Sequence, residues 1–166
     1  MIIDRFRNMI NRETRAEGLQ VHVFSWYFFT LLLNVYYENH DIRGQYQYEN
    51  VMTWGSDCNI FDLSLLLIPI KIGNTHWTLI LVNMADKIIA FYDSWGGSGL
   101  HHREQMLHYL RDEWCLKYSN EMDIESWQSY DAACPRQPNY NDCGIYCCLL
   151  AYLLSKKANI ACINNF

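Results

Sequence analysis

The stretch PNYNDCGIYCCLLAYLLS, residues 138–155, places Cys143, Cys147 and Cys148 within six positions. Turn-forming Pro138, Asn139, Asn141 and Asp142 precede Cys143, and an apolar run follows Gly144. That pattern predicts a helix over 143–155 with Cys143 in its first turn. A thiol there has a physical reason to ionise, because unpaired amides and the positive end of the helix dipole favour the reactive thiolate. Asp142 or Asn141 is suited to cap the helix, and Gly144 would let a substrate backbone approach closely. On this stretch alone three readings of Cys143 stay open. It is a nucleophile, a metal ligand sharing a helix face with Cys147, or a small buried residue like Cys147 and Cys148. The chain has no Cys-x2-Cys pair, and no histidine lies near this cluster in sequence.

A nucleophilic cysteine needs a base, and the base needs an orienting partner. His76 opens the β-rich run HWTLILVNM (76–84), directly after the turn-like GNT, and Asp93 closes KIIAFYDSW (87–95). If these runs form a hairpin about Ala85-Asp86, the start of one strand lies beside the end of the next. His76 and Asp93 then become neighbours on one rim although 17 residues separate them. Taken alone, Asp93 reads as a turn-capping aspartate ahead of Ser94 and the glycines. Acyl transfer also needs donors for the developing oxyanion. The amide of Cys143 is one, and Gln137, six residues upstream, has a side-chain amide that could be the second. The other histidines have no comparable setting. His101 and His102 read as surface residues at a helix start, and His22 as packing or capping.

These residues must be positioned by a set of elements legible in the hydrophobic pattern. Ile2, Ile3, Phe6, Met9 and Ile10 recur at helical spacing over 2–12. HVFSWYFFTLLLNVYY (22–37) reads as a mostly buried helix, and 38–58 as a polar, tyrosine-rich loop with a short helix. DLSLLLIPI (62–70) is apolar on both faces, as in a central strand, with Pro69 marking its end or an edge. GGSG (96–99) breaks the second hairpin strand, and a helix follows over 101–118 with Met106, Leu107, Leu110 and Trp114 on one face. Residues 126–134 read as a short strand. Helices, a largely antiparallel sheet and further helices make an α+β domain spanning 1–166.

Composition sets the outer limits. The chain has 166 residues, 51% hydrophobic, 15% aromatic and 19% charged, with a net charge of −5. That is enough apolar surface for one folded domain, and the acidic balance argues against a nucleic-acid or anionic-membrane partner. Charges at Asp4, Arg5 and Arg7 interrupt any secretory apolar core at the start. Seven scattered cysteines, an odd number, then indicate free thiols in a reducing, intracellular setting. No metal or cofactor is expected, and a monomer is.

Read together, the motifs resemble the SUMO-processing cysteine proteases, the sentrin-specific or ubiquitin-like-protein-specific family. HW opens one strand and YDSWGG closes the next at that family's His-to-Asp separation. The segment PRQPNYNDCG then follows, with glutamine six positions ahead of cysteine. GLQVHVFSWYFFTLL and FDLSLLLIPIKIGNTHW resemble the family's approach to a Phe-rich helix and its central strand. The resemblance implies a papain-like fold of the ubiquitin-like-protein protease type. Its catalytic set would be His76 as general base, Asp93 as orienter, Gln137 as oxyanion donor and Cys143 as nucleophile. Trp77, with Gly144, would line the slot that clamps a C-terminal Gly-Gly. The implied partner is SUMO or a related ubiquitin-like protein with its conjugates, in the nucleus, the cytoplasm or both. Set against the family pattern, the resemblance implies a domain shortened at both ends, without a WLND-type tryptophan element and a final helix. Trp95 stands where the family more often has a smaller or aliphatic residue. Two alternatives accompany this reading: a NEDD8- or ubiquitin-directed protease, and a truncated, poorly active paralogue that only binds the modifier.

Overall fold

In a computed structural model the described residues are 1–35, 44–56, 58–73 and 75–165. A five-stranded sheet runs in the order β1 (Val21–Val23), β2 (Leu65–Ile72), β3 (His76–Asn83), β4 (Ile88–Tyr92), β5 (Gln128–Asp131). The three central strands are antiparallel, and each edge strand joins its neighbour in parallel. The sheet is therefore mixed, with its antiparallel pairs confined to the middle.

Helices cover both faces, which explains why β2 and β3 read as nearly continuous apolar runs. Ile68, Ile70, Ile80, Val82, Ile89 and Phe91 face one core with α2 (Tyr27–Leu32) and α3 (Leu100–Tyr118). Leu65, Leu67, Leu79 and Leu81 face the other, with α1 (Ile2–Ala16) and α4 (Cys143–Ser155). A two-residue period divides each strand between these cores, so a slip of one residue would exchange the two sets of side chains.

Two sequence expectations change here. The run 22–37 does not form one helix. Its first residues complete β1, where pairing with Leu65–Leu67 outweighs the run's helical pattern, and only Tyr27–Leu32 is α-helical; residues 36 and 37 lie outside the described set. The edge of β1 is closed by Asn11 of α1. Its side-chain amide donates to the Val23 carbonyl at 2.9 Å and accepts from the Val23 amide at 2.8 Å, as a further strand would. Pro69 does not end its strand, since it pairs with Leu79 inside β2. β1 stops opposite Leu67, however, so Pro69 sits where that side of β2 has become a local edge.

The 38–58 stretch contributes a 3₁₀ turn at Tyr48–Asn50, and its residues 38–43 and 57 lie outside the described set. The predicted helices at the two ends of the chain form, α1 running to Ala16 and α4 over the expected 143–155. The predicted strand over 126–134 is shorter, Gln128–Asp131. Arg103 of α3 holds it, reaching Asp131 at 3.1 Å and Ser129 at 2.8 Å. Among the described residues no helix is long and apolar enough to cross a membrane.

Candidate active site

The hairpin does what its sequence predicts. β3 and β4 pair from Asn83 opposite Ile88 to Leu79 opposite Tyr92, and Asn83 closes the turn by bonding Asp86. The pairing ends at Tyr92, and a turn follows in which the Gly96 amide donates to the Asp93 carbonyl at 2.9 Å. His76 Nε2 lies 2.7 Å from Asp93 Oδ1, both residues being buried. With Nε2 donating to the carboxylate, the other ring nitrogen, Nδ1, is left buried and, among the described residues, without a hydrogen-bond partner. That is the lone pair a thiol proton would need.

Asp93 is held by more than the imidazole. The amide of Trp95 donates to Oδ1 at 2.8 Å, and that of Gly97 to Oδ2 at 2.9 Å. Burial alone would raise its carboxyl, but the His76 hydrogen bond, the Trp95 amide, the imidazole charge and the Gly97 amide together hold it below the usual range. The glycines serve this grip. Gly96 has φ +78°, a conformation that side chains resist, and a Cβ on Gly97 would stand 2.7 Å from Asp93 Oδ2.

Helix α4 lies on the opposite face, and its first residue reaches the rim. Cys143 Sγ is 3.5 Å from the carbonyl of Thr75, the residue before His76. Burial does not separate the cysteines, since Cys143 is 4% exposed and Cys147 2%. Surroundings do. Cys147 contacts the Thr78 carbonyl inside the strand, and burial pushes its thiol far up. Burial likewise lifts Cys148 to about 11. Both stay packing residues. Among the described residues no cluster of three or more His, Cys, Asp or Glu side chains could hold a metal.

The cap differs from expectation. Neither Asp142 nor Asn141 makes a side-chain bond to the helix amides. Asn139 does the local work instead, accepting from the Asn141 amide at 2.9 Å and the Asp142 amide at 3.1 Å, and donating to Asp142 at 2.6 Å. The first-turn amides of α4 are thus left without a side-chain cap, where an anion could use them.

Gln137 is fixed in the same loop. Its backbone amide donates to the Ser94 carbonyl at 3.2 Å, and its Oε1 accepts from the Ser94 hydroxyl at 2.5 Å. Nε2 gives one hydrogen to the Asn139 carbonyl at 2.6 Å. One N–H remains. Ser94, 3% exposed, thus ties down the Gln137 side chain; its place next to Asp93 is its only signal in the sequence.

Trp77 points to the α4 face, and its Cδ1 would lie 3.4 Å from a Cβ placed on Gly144. Gly144 therefore lets the indole lie close along the helix start. Trp26, hidden in a run of aromatics and read as core, packs edge-on against Trp77 at 5.8 Å. Its indole N–H bonds Asp4 of α1 at 3.1 Å. His102 is not a surface residue: it is half-buried between the rings of Phe29 and Phe91, and burial, with His101 adjacent, lowers its imidazole to about 4. His22 packs edge-on against Phe24, as a packing role requires.

A histidine-carboxylate pair on a hairpin rim, next to a helix-borne thiol in an α+β fold, is the make-up of a cysteine protease. The chain belongs to the Ulp1 protease family, whose C-terminal catalytic domain matches residues 1–163. Sentrin-specific protease 2 of Homo sapiens is 28% identical over 163 residues, 96% of this chain and 26% of that protein. Sentrin-specific protease 5 of Homo sapiens is 38% identical over 103 residues, 60% of this chain and 13% of that protein. The chain thus spans about a quarter of the length of the first of these relatives. The Ulp1 protease domain solved in complex with Smt3, the yeast ortholog of SUMO, superposes with TM-score 0.74 at 25% identity. That match covers 96% of this chain and 66% of the other.

Proposed function

We propose that the chain is a thiol protease or isopeptidase that cleaves after the C-terminal Gly-Gly of a SUMO-like modifier. One observation carries the reading: His76 Nε2 is tied to Asp93 at 2.7 Å while Nδ1 is buried and has no partner among the described residues, on a rim that Cys143 Sγ also reaches. The family and the Smt3-bound relative support the choice of modifier.

In this reading Nδ1 takes the Cys143 proton, and the thiolate attacks the carbonyl carbon of the terminal glycine. The oxyanion is met by the Cys143 amide and by the remaining N–H of Gln137. Collapse breaks the C–N bond, and the leaving amine takes its proton from Nδ1. A thioester is left on Sγ. Water, giving a proton back to Nδ1, attacks it, and the thiolate departs. Asp93 keeps the ring in one tautomer and balances the imidazolium. A slot lined by Trp77 and Gly144 that admits only residues without side chains would select the glycines by exclusion. An intracellular site of action belongs to the same reading, with Cys134, Cys143, Cys147 and Cys148 as free thiols.

The test uses SUMO, NEDD8 and ubiquitin whose C-terminal glycine carries a thiol-reactive warhead. Covalent labelling by the SUMO probe, absent in Cys143→Ala, is expected. Labelling by the NEDD8 or ubiquitin probe alone would reassign the substrate. A folded protein that none of the three labels would refute the protease reading.

A further inference from the structure

We infer that Trp95 is a positioning residue of this site, whose indole face holds the His76 ring in place and favours its imidazolium form. The inference rests on the protease reading above and adds a residue to it.

The two rings are stacked, with centroids 4.2 Å apart and planes 11° from parallel. The contact is made from the turn that follows β4, where the Gly96 amide donates to the Asp93 carbonyl at 2.9 Å and Trp95 lies over the imidazole. It is also anchored from behind. The Trp95 amide donates to Asp93 Oδ1, the oxygen that takes His76 Nε2. One carboxylate oxygen therefore sets both the edge of the imidazole and the backbone of the residue lying on its face. Tyr140, in the loop that leads to Cys143, meets Trp95 edge-on at 6.0 Å. Tyr140 is 85% exposed and Trp95 46%, so the indole screens His76 from water while its outer side stays open.

The chemistry is direct. A π-face attracts a cation, so an indole stacked on imidazole favours the protonated ring over the neutral one. Before attack the site has to hold thiolate and imidazolium together, and the imidazolium supplies the leaving group's proton. A ring fixed face-on by Trp95 and edge-on by Asp93 has little freedom to turn Nδ1 away from Cys143. The other groups around His76 are Asp93 from the end of β4 and Cys143 from α4. Arg136 lies against Gly96, and Asp142 stands at the start of α4. Lys71 sits over Trp77. None of these changes when Trp95 is replaced.

The test is an NMR titration of the His76 ring in the whole chain, comparing wild type, Trp95→Leu, Trp95→Phe and Cys143→Ala. Leucine keeps apolar cover but has no π-face, and phenylalanine restores one. In Trp95→Leu the His76 midpoint is expected to fall by about half a pH unit, a roughly threefold change in the imidazolium-to-imidazole ratio. The ring-proton shifts caused by the stacked indole should vanish with it. Phenylalanine should recover most of the midpoint. A Trp95→Leu midpoint within a tenth of a unit of wild type overturns the inference, as does failure of phenylalanine to differ from leucine. Cys143→Ala separates this from the underlying reading. Loss of a partner thiolate should itself lower the midpoint, and an unchanged value there removes Cys143 as the partner whatever Trp95 does.

Discussion

Replacing Ser94 with alanine should damage the reaction without touching any group proposed to react. Ser94 Oγ donates to Gln137 Oε1, and the Ser94 carbonyl accepts the Gln137 amide. The substitution removes the first tie and keeps the second, so the loop stays in place while the glutamine side chain gains freedom to turn. A neutral hydrogen bond contributes about 0.5–1.5 kcal/mol net. If that energy holds the last Gln137 N–H on the oxyanion, kcat should fall by about 2- to 13-fold, with KM little changed. Gln137→Ala, which removes the donor itself, should cost about 10²–10³-fold. The decisive measurement is a double-mutant cycle, read as hydrolysis of a fluorogenic amide on the SUMO C-terminus at saturating substrate. Because Ser94 acts only through Gln137, adding Ser94→Ala to Gln137→Ala should cost nothing further. If the two losses multiply, Ser94 works by another route. If Ser94→Ala alone leaves kcat unchanged, the tie does not position the donor.

Gly97→Ala places a Cβ about 0.7 Å inside ordinary contact with Asp93 Oδ2, whose present approach would be 2.7 Å. The carboxylate must shift and loosen its grip on His76, so kcat/KM should fall by about 10²-fold while thermal stability changes little. Glu113, buried on α3 and accepting from the Tyr48 hydroxyl at 2.7 Å, has its carboxyl raised, chiefly by burial. A raised folded-state value means the native state binds the proton more tightly than the unfolded chain, so stability falls as pH rises through that range. Glu113→Gln should therefore raise Tm at pH 7 and lose its advantage toward pH 4; calorimetry at both values checks it. Asn11→Ala strips two hydrogen bonds from the open edge of β1 and should cost about 1–3 kcal/mol in urea unfolding, with warhead labelling of the folded protein unchanged.

The sheet edges show how local signals and tertiary pairing compete. His22 and Val23 carry no turn signal separating them from the aromatic run that follows, so the pattern alone favours a helix through them. They become strand because Leu65–Leu67 and the Asn11 amide satisfy their backbone from either side. The same holds at the helix start, where Asn139, two residues before Asn141 and three before Asp142, binds the turn amides. A side chain's reach depends on the loop's path, and that path is set by its ties to Ser94.

What the sequence by itself determined was the pairing of His76 with Asp93. Their distance in the fold is governed by one hairpin, whose alternation and turn residues are local, so strand periodicity was enough to bring them together. It also determined the helix over 143–155 and the apolar character of Cys147 and Cys148. Only the tertiary structure decided which cysteine meets the rim. Cys143 and Cys147 are almost equally buried, and their separation arises because α4 packs across the sheet with its first residue beside Thr75, 68 residues away in the chain. Ser94 under Gln137, Trp26 against Trp77 and Trp95 on His76 were settled the same way. Each is a contact between side chains whose directions follow from the paths of turns and loops and from where the strands and helices pack, and neither spacing nor composition encodes those directions.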